Sequence, residues 1–163
     1  MSTHFHSLRI KSITPDTDEA VIVSFDVPSA LKNDFEFTQG QHLTLRTHLN
    51  GKEERRSYSI CSGVDDGDLR IGVRQVNGGV VSGWINTQLK VGDSVDVLPP
   101  DGRFFVPIDS AKSRHYLGIA GGSGITPILA IIKTVLAREP QSSFTLIYGN
   151  RRQNSTMFKE GLE

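Results

Sequence analysis

Tyr116-Leu117-Gly118-Ile119-Ala120 leads into Gly121-Gly122-Ser123-Gly124-Ile125-Thr126-Pro127 and then into Ile128-Leu129-Ala130-Ile131-Ile132-Lys133-Thr134-Val135-Leu136. The first run is short and apolar, the pattern of a buried strand. The last places Ile128, Ile131, Ile132 and Val135 at i, i+3, i+4 and i+7, one face of a helix, and Leu129 and Leu136 widen that stripe. A strand, a glycine turn and a helix start together make an anion site. Glycine lets backbone approach a ligand closely, and the helix N-terminus offers unpaired N–H groups and the positive end of a dipole. Pro127 suits the first helical turn, where no N–H is needed. Taken alone, the motif is equally compatible with an ordinary tight turn. Two rivals are excluded by spacing. No Gly-Lys-Ser/Thr follows, so this is not a P-loop, and Ile125 stands where a nucleophile elbow around Ser123 needs glycine. The third glycine of the usual dinucleotide fingerprint is replaced by Pro127.

Downstream, Phe144–Tyr148 is a second apolar strand, so Tyr116–Ala120, Thr126–Ala137 and Phe144–Tyr148 form a strand–helix–strand unit with a parallel pair. Upstream, Ile108–Arg114 is polar and has the look of a linker. Before it the pattern is β. Runs at Leu8–Ile13, Ala20–Val27, His42–Thr47, Arg55–Ile60, Leu69–Gln75 and Ser94–Leu98 are separated by turn signals such as Asn50-Gly51, Asp65-Asp66-Gly67-Asp68 and Pro99-Pro100-Asp101-Gly102. One helix, Val80–Leu89, interrupts them. The expected fold is a six-stranded antiparallel Greek-key β barrel followed by a partial α/β nucleotide-binding unit.

Composition narrows the classes of function. In 163 residues, 18 basic and 18 acidic side chains balance, so no broad positive field invites nucleic acid. Met1–His6 carries no apolar segment, and the apolar run at 125–136 is far short of the ~20 residues a membrane span needs. The expectation is a cytoplasmic protein with no nucleic-acid or membrane partner. One cysteine, Cys61, excludes an internal disulfide. It also excludes an iron–sulfur cluster within this chain, since a cluster takes about four thiolates. The five histidines show no metal-ligand spacing, so no metal site is expected.

Four further motifs settle what the glycine turn leaves open. They are Arg56-Ser57-Tyr58-Ser59-Ile60-Cys61-Ser62, then Asn77-Gly78-Gly79-Val80-Val81-Ser82-Gly83-Trp84, then Val91-Gly92-Asp93 through Pro99-Pro100-Asp101-Gly102-Arg103-Phe104, and finally Tyr148-Gly149-Asn150-Arg151. With Gly121–Pro127, their order and spacing resemble the ferredoxin–NADP reductase superfamily from about Ser7 to Arg152. With Gly40-Gln41-His42-Leu43-Thr44-Leu45, the chain is most similar to reductases of the phenylacetyl-CoA epoxidase type. The resemblance implies an FAD-binding β-barrel domain over 1–108 and an incomplete NAD(P)-binding α/β domain over 114–163. It implies an N-terminal fragment of a flavoprotein oxidoreductase of phenylacetate degradation. Electrons would pass from NADPH through FAD to an iron–sulfur domain or ferredoxin and on to an oxygenase component.

Site residues follow from the same resemblance. Arg56 can form a charge-assisted pair with the FAD pyrophosphate. Ser57 lies beside it, and Tyr58, two residues on and on the same strand face, packs against the flavin ring. Ser59 sits near flavin N5, the atom that accepts hydride. Val73, Arg74, Gln75 and Val76 offer backbone to the flavin and its adenosine half, and Gly79, Val80, Val81 and Ser82 cradle the pyrophosphate. Gly122, Ser123, Gly124, Thr126 and Pro127 form the nicotinamide-nucleotide site, with Thr126 close to both rings. Ser59 and Thr126 are the expected catalytic pair. An acid about 20 residues after the glycines would mark NAD; this chain has Asn150-Arg151-Arg152 instead, and Arg151 can take the 2′-phosphate of NADP. Trp84 and Cys61 are expected in the core. The alternatives are a flavin-binding module without turnover and a flavoreductase for a different acceptor. Because two strands and one helix cannot bury the apolar stripe of 128–136, self-association is also expected.

Overall fold

The structure, a computed structural model, describes residues 4–162, so the outermost ends of both expected segments, Met1–Thr3 and Glu163, lie outside the described residues. Six strands form one antiparallel sheet: β1 (His6–Thr17), β2 (Ala20–Asp26), β3 (His42–Leu49), β4 (Lys52–Ser59), β5 (Leu69–Arg74) and β6 (Ser94–Val97). The spatial order is β4-β3-β6-β1-β2-β5, so β6 crosses back to lie between β3 and β1. The sheet curls like a barrel without closing. The two edge strands meet near their ends, where Ile60 bridges Ile71 and the Cys61 N–H donates to the Arg70 carbonyl at 2.9 Å.

Local chemistry explains the turns. Asn50 and Gly51 both have positive φ, 53° and 74°, the pair of left-handed residues that a two-residue hairpin needs, and they join Leu49 to Lys52 in register. β1 runs farther than the expected Leu8–Ile13. Its ladder with β2 shifts register between Ile10 and Ser12 and again between Pro15 and Thr17. Such irregularities tolerate a proline that cannot donate to a regular ladder. Alternation does the rest. Leu8, Ile10, Val23, Phe25, Leu43, Leu45, Ile71, Val73, Val95 and Val97 turn into one core, capped by Val81 and Ile85 of α1 (Val80–Thr87). Each such side chain contributes about 1.5–3 kcal/mol by leaving water. Trp84 packs against the edge of this core.

The second unit follows residues 107–114. Strands β7 (His115–Gly121) and β8 (Ser143–Gly149) pair in parallel around α2 (Ile125–Arg138), and a short α3 (Lys159–Leu162) ends the described chain. The buried carboxylate of Glu139, at the C-terminal end of α2, holds the connection in place. It accepts hydrogen bonds from the Asp109 N–H at 3.0 Å, the Ser142 hydroxyl at 2.7 Å and the Tyr116 hydroxyl at 3.0 Å. These donors, that of Ser142 foremost, hold its pKa below the usual carboxylate range.

A second core joins the two units. Ala20 and Cys61 from the six-stranded sheet meet Ala120, Ile125, Ile128, Leu129, Met157 and Phe158. Burial pushes the Cys61 thiol up to about 12, so it is a packing residue. Leu136 departs from the expected stripe. It is 50 % exposed, whereas most of the stripe, expected to stay uncovered, is buried within the chain: Ile128, Leu129 and Ile131 are each 8 % exposed and Val135 is fully buried, with Ile128 and Leu129 packed in the core that contains Ala20 and Cys61. The face of β7–β8 away from α2 is bare: Leu117 is 61 % exposed, Ile119 70 % and Ile147 55 %. Among the described residues no helix is long and apolar enough to cross a membrane.

Candidate functional site

The site lies at the seam between the two units. A cavity of about 580 Å³ takes its floor from the ends of β4 and β5, its wall from the turn into α1, and its lid from the first turn of α2. Arg56, Ser57, Tyr58 and Ser59 line it from β4, and Gly72, Arg74 and Val76 from β5 and the turn after it. Gly79, Val80, Val81 and Ser82 reach it from the start of α1, Ser123 and Gly124 from the turn before α2, and Thr126 and Pro127 from the first turn of α2. Fifteen of the residues singled out from sequence therefore share one cavity with Gly72, which was not. Val73 is the exception in its segment. Its side chain enters the core, and its carbonyl accepts from Asn86 Nδ2 at 3.2 Å.

A larger cavity of about 1240 Å³ adjoins this one and shares Arg74, Val76 and Ser123 with it. Gly122, Asn150, Arg151 and Arg152 line it, as do Glu19, Gln75 and Asn77. Gly122 has φ of +51°, and a Cβ there would stand 3.1 Å from Arg74 Nη1. The bend is held from β8, where the Tyr148 hydroxyl donates to the Gly122 carbonyl at 3.1 Å. Thr126 Oγ1 donates to the Ser123 carbonyl at 2.9 Å and braces the start of α2.

The polar groups are arranged for an anion beside an apolar face. The Arg56 guanidinium is 51 % exposed, paired with Glu54 at 3.1 Å and bonded to the Arg55 carbonyl. The N–H groups of Val80, Val81 and Ser82, in the first turn of α1, have no partner inside the helix. The Ser82 hydroxyl is engaged within the loop: it accepts from the Val76 N–H at 3.1 Å. Ser57 shares a hydrogen bond of 2.8 Å with Thr44 across the β3–β4 ladder. Tyr58 is half-buried, and burial, opposed by Arg56, pushes its phenol up to about 12, so it is a neutral hydroxyl at any working pH. Arg74 is tied to Glu19 at 3.1 Å.

A ring-bearing dinucleotide fits this set. An aromatic side chain, an arginine and a row of free backbone donors converge on one cleft, and the close glycine approach at Gly72 brings Thr126 down to it: a Cβ on residue 72 would lie 2.8 Å from Thr126 Cγ2. Gly72 was legible in principle, since a glycine inside a strand marks a close approach. Glu19 and Glu54 carried no sequence signal. Among the described residues no group of three or more His, Cys, Asp or Glu side chains is placed to hold a metal ion.

Comparison with known proteins identifies the family. The oxidoreductase FAD-binding domain family matches residues 6–106, and the oxidoreductase NAD-binding domain family matches residues 119–163. The chain is 42 % identical over 160 residues to one of the subunits of the 1,2-phenylacetyl-CoA epoxidase of Escherichia coli K12, covering 98 % of this chain and 45 % of that protein. Phthalate dioxygenase reductase, described as a modular structure for electron transfer from pyridine nucleotides to [2Fe-2S], superposes with a TM-score of 0.80 at 28 % identity, over 97 % of this chain and 47 % of that one. A ferredoxin NADP+ reductase from Neisseria gonorrhoeae, with bound FAD and NADP, shares the fold at a TM-score of 0.80 and 20 % identity, over 99 % and 63 % of the two chains. The chain spans less than half the length of the first curated relatives it matches.

Proposed function

Since this chain belongs to the FAD- and NAD-binding oxidoreductases of the ferredoxin–NADP reductase superfamily, we propose that it is the flavin-bearing part of a reductase of the phenylacetyl-CoA epoxidase type. In this reading it takes reducing equivalents from NADPH, passes them through FAD to an iron–sulfur domain or ferredoxin, and so supplies an oxygenase in the cytoplasm. Residues 1–108 act as the FAD-binding domain and 114–163 as part of the NAD(P)-binding domain. The observation that carries the proposal is the seam cavity, where Tyr58 and Ser59 on one unit face Thr126 and Pro127 on the other.

FAD, when bound, supplies the hydride acceptor and the single-electron donor. The protein's share is placement. Arg56 and the first N–H groups of α1 hold the pyrophosphate. Tyr58 would pack on the ring and, as a neutral phenol, could donate a hydrogen bond to the cofactor. Ser59 offers a hydroxyl beside the reacting edge. Val73, Arg74, Gln75 and Val76 present backbone to the cofactor. Gly122, Ser123, Gly124 and Thr126 would hold the nicotinamide nucleotide when it is bound.

The test is to release the cofactor from the purified protein, identify it, and add NADPH without oxygen. FAD in the extract and bleaching of its visible bands support the reading. FMN or no flavin overturns it, and FAD without bleaching leaves a passive flavin-binding module.

Arg151 lies in the larger cavity with Gly122 and Arg152, where an arginine accepts a 2′-phosphate. In the intact parent protein, Arg151→Ala is expected to raise the NADPH concentration needed for half-maximal flavin reduction about tenfold, the size of one charge-assisted contact, while the NADH requirement stays near its original value. Equal effects on both nucleotides would assign Arg151 to structure alone.

The same reading includes self-association of the 163-residue chain by strand pairing or exchange at the open edges of β7–β8; the α2 stripe, mostly buried within the chain, gives it no support, while the bare face of the two strands does. Parallel strands are normally covered on both faces, and the outer edges of both strands are unpaired in the two-stranded sheet. Light scattering is expected to give a mass above the monomer at high concentration. A monomeric mass, with residues 115–162 protected from amide exchange, would exclude it.

A further inference from the structure

The loop between β4 and β5 is fastened to α2 at a distance from the cavity. Val64 donates its N–H to Thr134 Oγ1 at 3.2 Å. Asp66 accepts from Lys133 Nζ, from Arg70 Nη2 at 2.7 Å and from the Gly63 N–H at 3.1 Å, and its side chain is only 22 % exposed. Asp65 and Arg138 form a bidentate pair, both contacts at 2.8 Å, but at 50 % exposure each that pair is weak. Burial opposes the charge on Asp66, yet Lys133, the Gly63 N–H and Arg70 outweigh it and hold the carboxyl below its ordinary range. The clasp is therefore ionised at neutral pH.

The geometry makes a closed circuit. The strands that carry the loop, β4 and β5, also carry Tyr58, Ser59, Gly72 and Arg74 at the cavity. The helix that receives the loop carries Thr126 and Pro127 at the same cavity. Lys133 is seven residues beyond Thr126, about 10 Å along a stiff helix at ~1.5 Å per residue. A tilt of about 6° pivoting at Lys133 shifts Thr126 by about 1 Å over that length.

We propose that the Asp66–Lys133 clasp is a positioning element for flavin reduction: it sets the tilt of α2, and with it the gap between Thr126 on one unit and Ser59 on the other. Neither residue touches the cavity, and 67 positions separate them in sequence. The inference rests on the reading of the cavity as the place where a nicotinamide meets FAD, and it names what fixes their approach.

The experiment compares the intact FAD-loaded protein with Lys133→Met, which keeps the apolar stem, and Lys133→Arg, which keeps the charge. Lys133→Met is expected to lower the limiting rate of flavin bleaching at saturating NADPH about tenfold or more, since misplacement by ~1 Å costs up to about 100-fold. The apparent NADPH Kd should change less than about twofold, because nucleotide contacts are intact. The long-wavelength absorbance of a nicotinamide stacked on flavin should weaken, and Lys133→Arg should restore both rate and absorbance. Amide exchange at Val64, read without cofactor, should quicken in Lys133→Met only. A Lys133→Met protein with unchanged limiting rate and absorbance overturns the clasp. So does a lowered rate that Lys133→Arg fails to restore. A wild-type protein that neither bleaches nor shows the absorbance overturns the proposed function, and this inference with it.

Discussion

Arg56→Ala is expected to weaken FAD binding by about 1.5–3 kcal/mol, roughly 10- to 150-fold in Kd. The guanidinium lies on the cavity rim, at the end of a β4 segment whose next residues, Ser57, Tyr58 and Ser59, also line it. Its present partners are the Glu54 carboxylate at 3.1 Å and the Arg55 carbonyl. An exposed ion pair of this kind is worth little, so exchanging it for a doubly charged pyrophosphate is favourable. Removing the side chain leaves the N–H groups of Val80, Val81 and Ser82 as the principal anion donors, which is why binding is weakened and not abolished. Titration of the apoprotein with FAD, followed by flavin fluorescence, measures the change. Unaltered affinity would show that Arg56 serves only its pair with Glu54.

Gly72→Val should damage both stability and the site. A Cβ at residue 72 would stand 2.8 Å from Thr126 Cγ2, 3.0 Å from Phe158 Cζ and 3.1 Å from Met157 Cε. Those three groups come from α2 and from the segment that ends the second core, so the methyls of valine would wedge the two units apart. Overpacking of this kind costs about 1–3 kcal/mol. Denaturant unfolding should show a lower midpoint, and NADPH bleaching should slow as Thr126 is pushed off the flavin face. Gly72→Ala should fall between the two proteins, because Met157 and Phe158 present the ends of side chains that can give way. An unchanged midpoint with unchanged bleaching would mean that the seam is looser than its contacts indicate.

Both predictions turn on contacts between segments far apart in the chain, and here sequence reading and structure part company. Local rules identified nearly every element. The Asn50-Gly51 pair named its hairpin because only that turn accepts two residues of positive φ so readily. Alternation along Leu8–Ile10 and Leu43–Leu45 marked strands, and the repeat at Ile128, Ile131, Ile132 and Val135 marked α2. The motifs around Arg56, Gly79 and Gly122 were legible for the same reason: a phosphate site is built mostly from backbone N–H groups, glycines and a helix start, all adjacent in sequence.

What local pattern could not supply was the meeting of those motifs. The sheet curls but brings β4 and β5 together just near Ile60 and Ile71, a matter of strand twist and stagger that residue alternation does not encode. Leu136 widens the helical stripe and is nonetheless exposed, while Val135 beside it is fully buried, since burial depends on which flank of the helix finds a packing partner and not on the period alone. Glu19 on Arg74, Glu54 on Arg56 and Asp66 on Lys133 are ordinary surface-type charges in the sequence. Their partners are chosen by the fold, because an ion pair requires proximity and carries no spacing rule once the residues lie on different elements. By itself, then, the sequence determined the strands, the helices and the segments proposed to bind phosphate, each through interactions within a few residues. Only the tertiary structure decided that Tyr58, Ser59, Gly72 and Thr126 share one cavity, because packing across the Ala20–Cys61–Met157 seam brings β4, β5 and α2 to the same point in space.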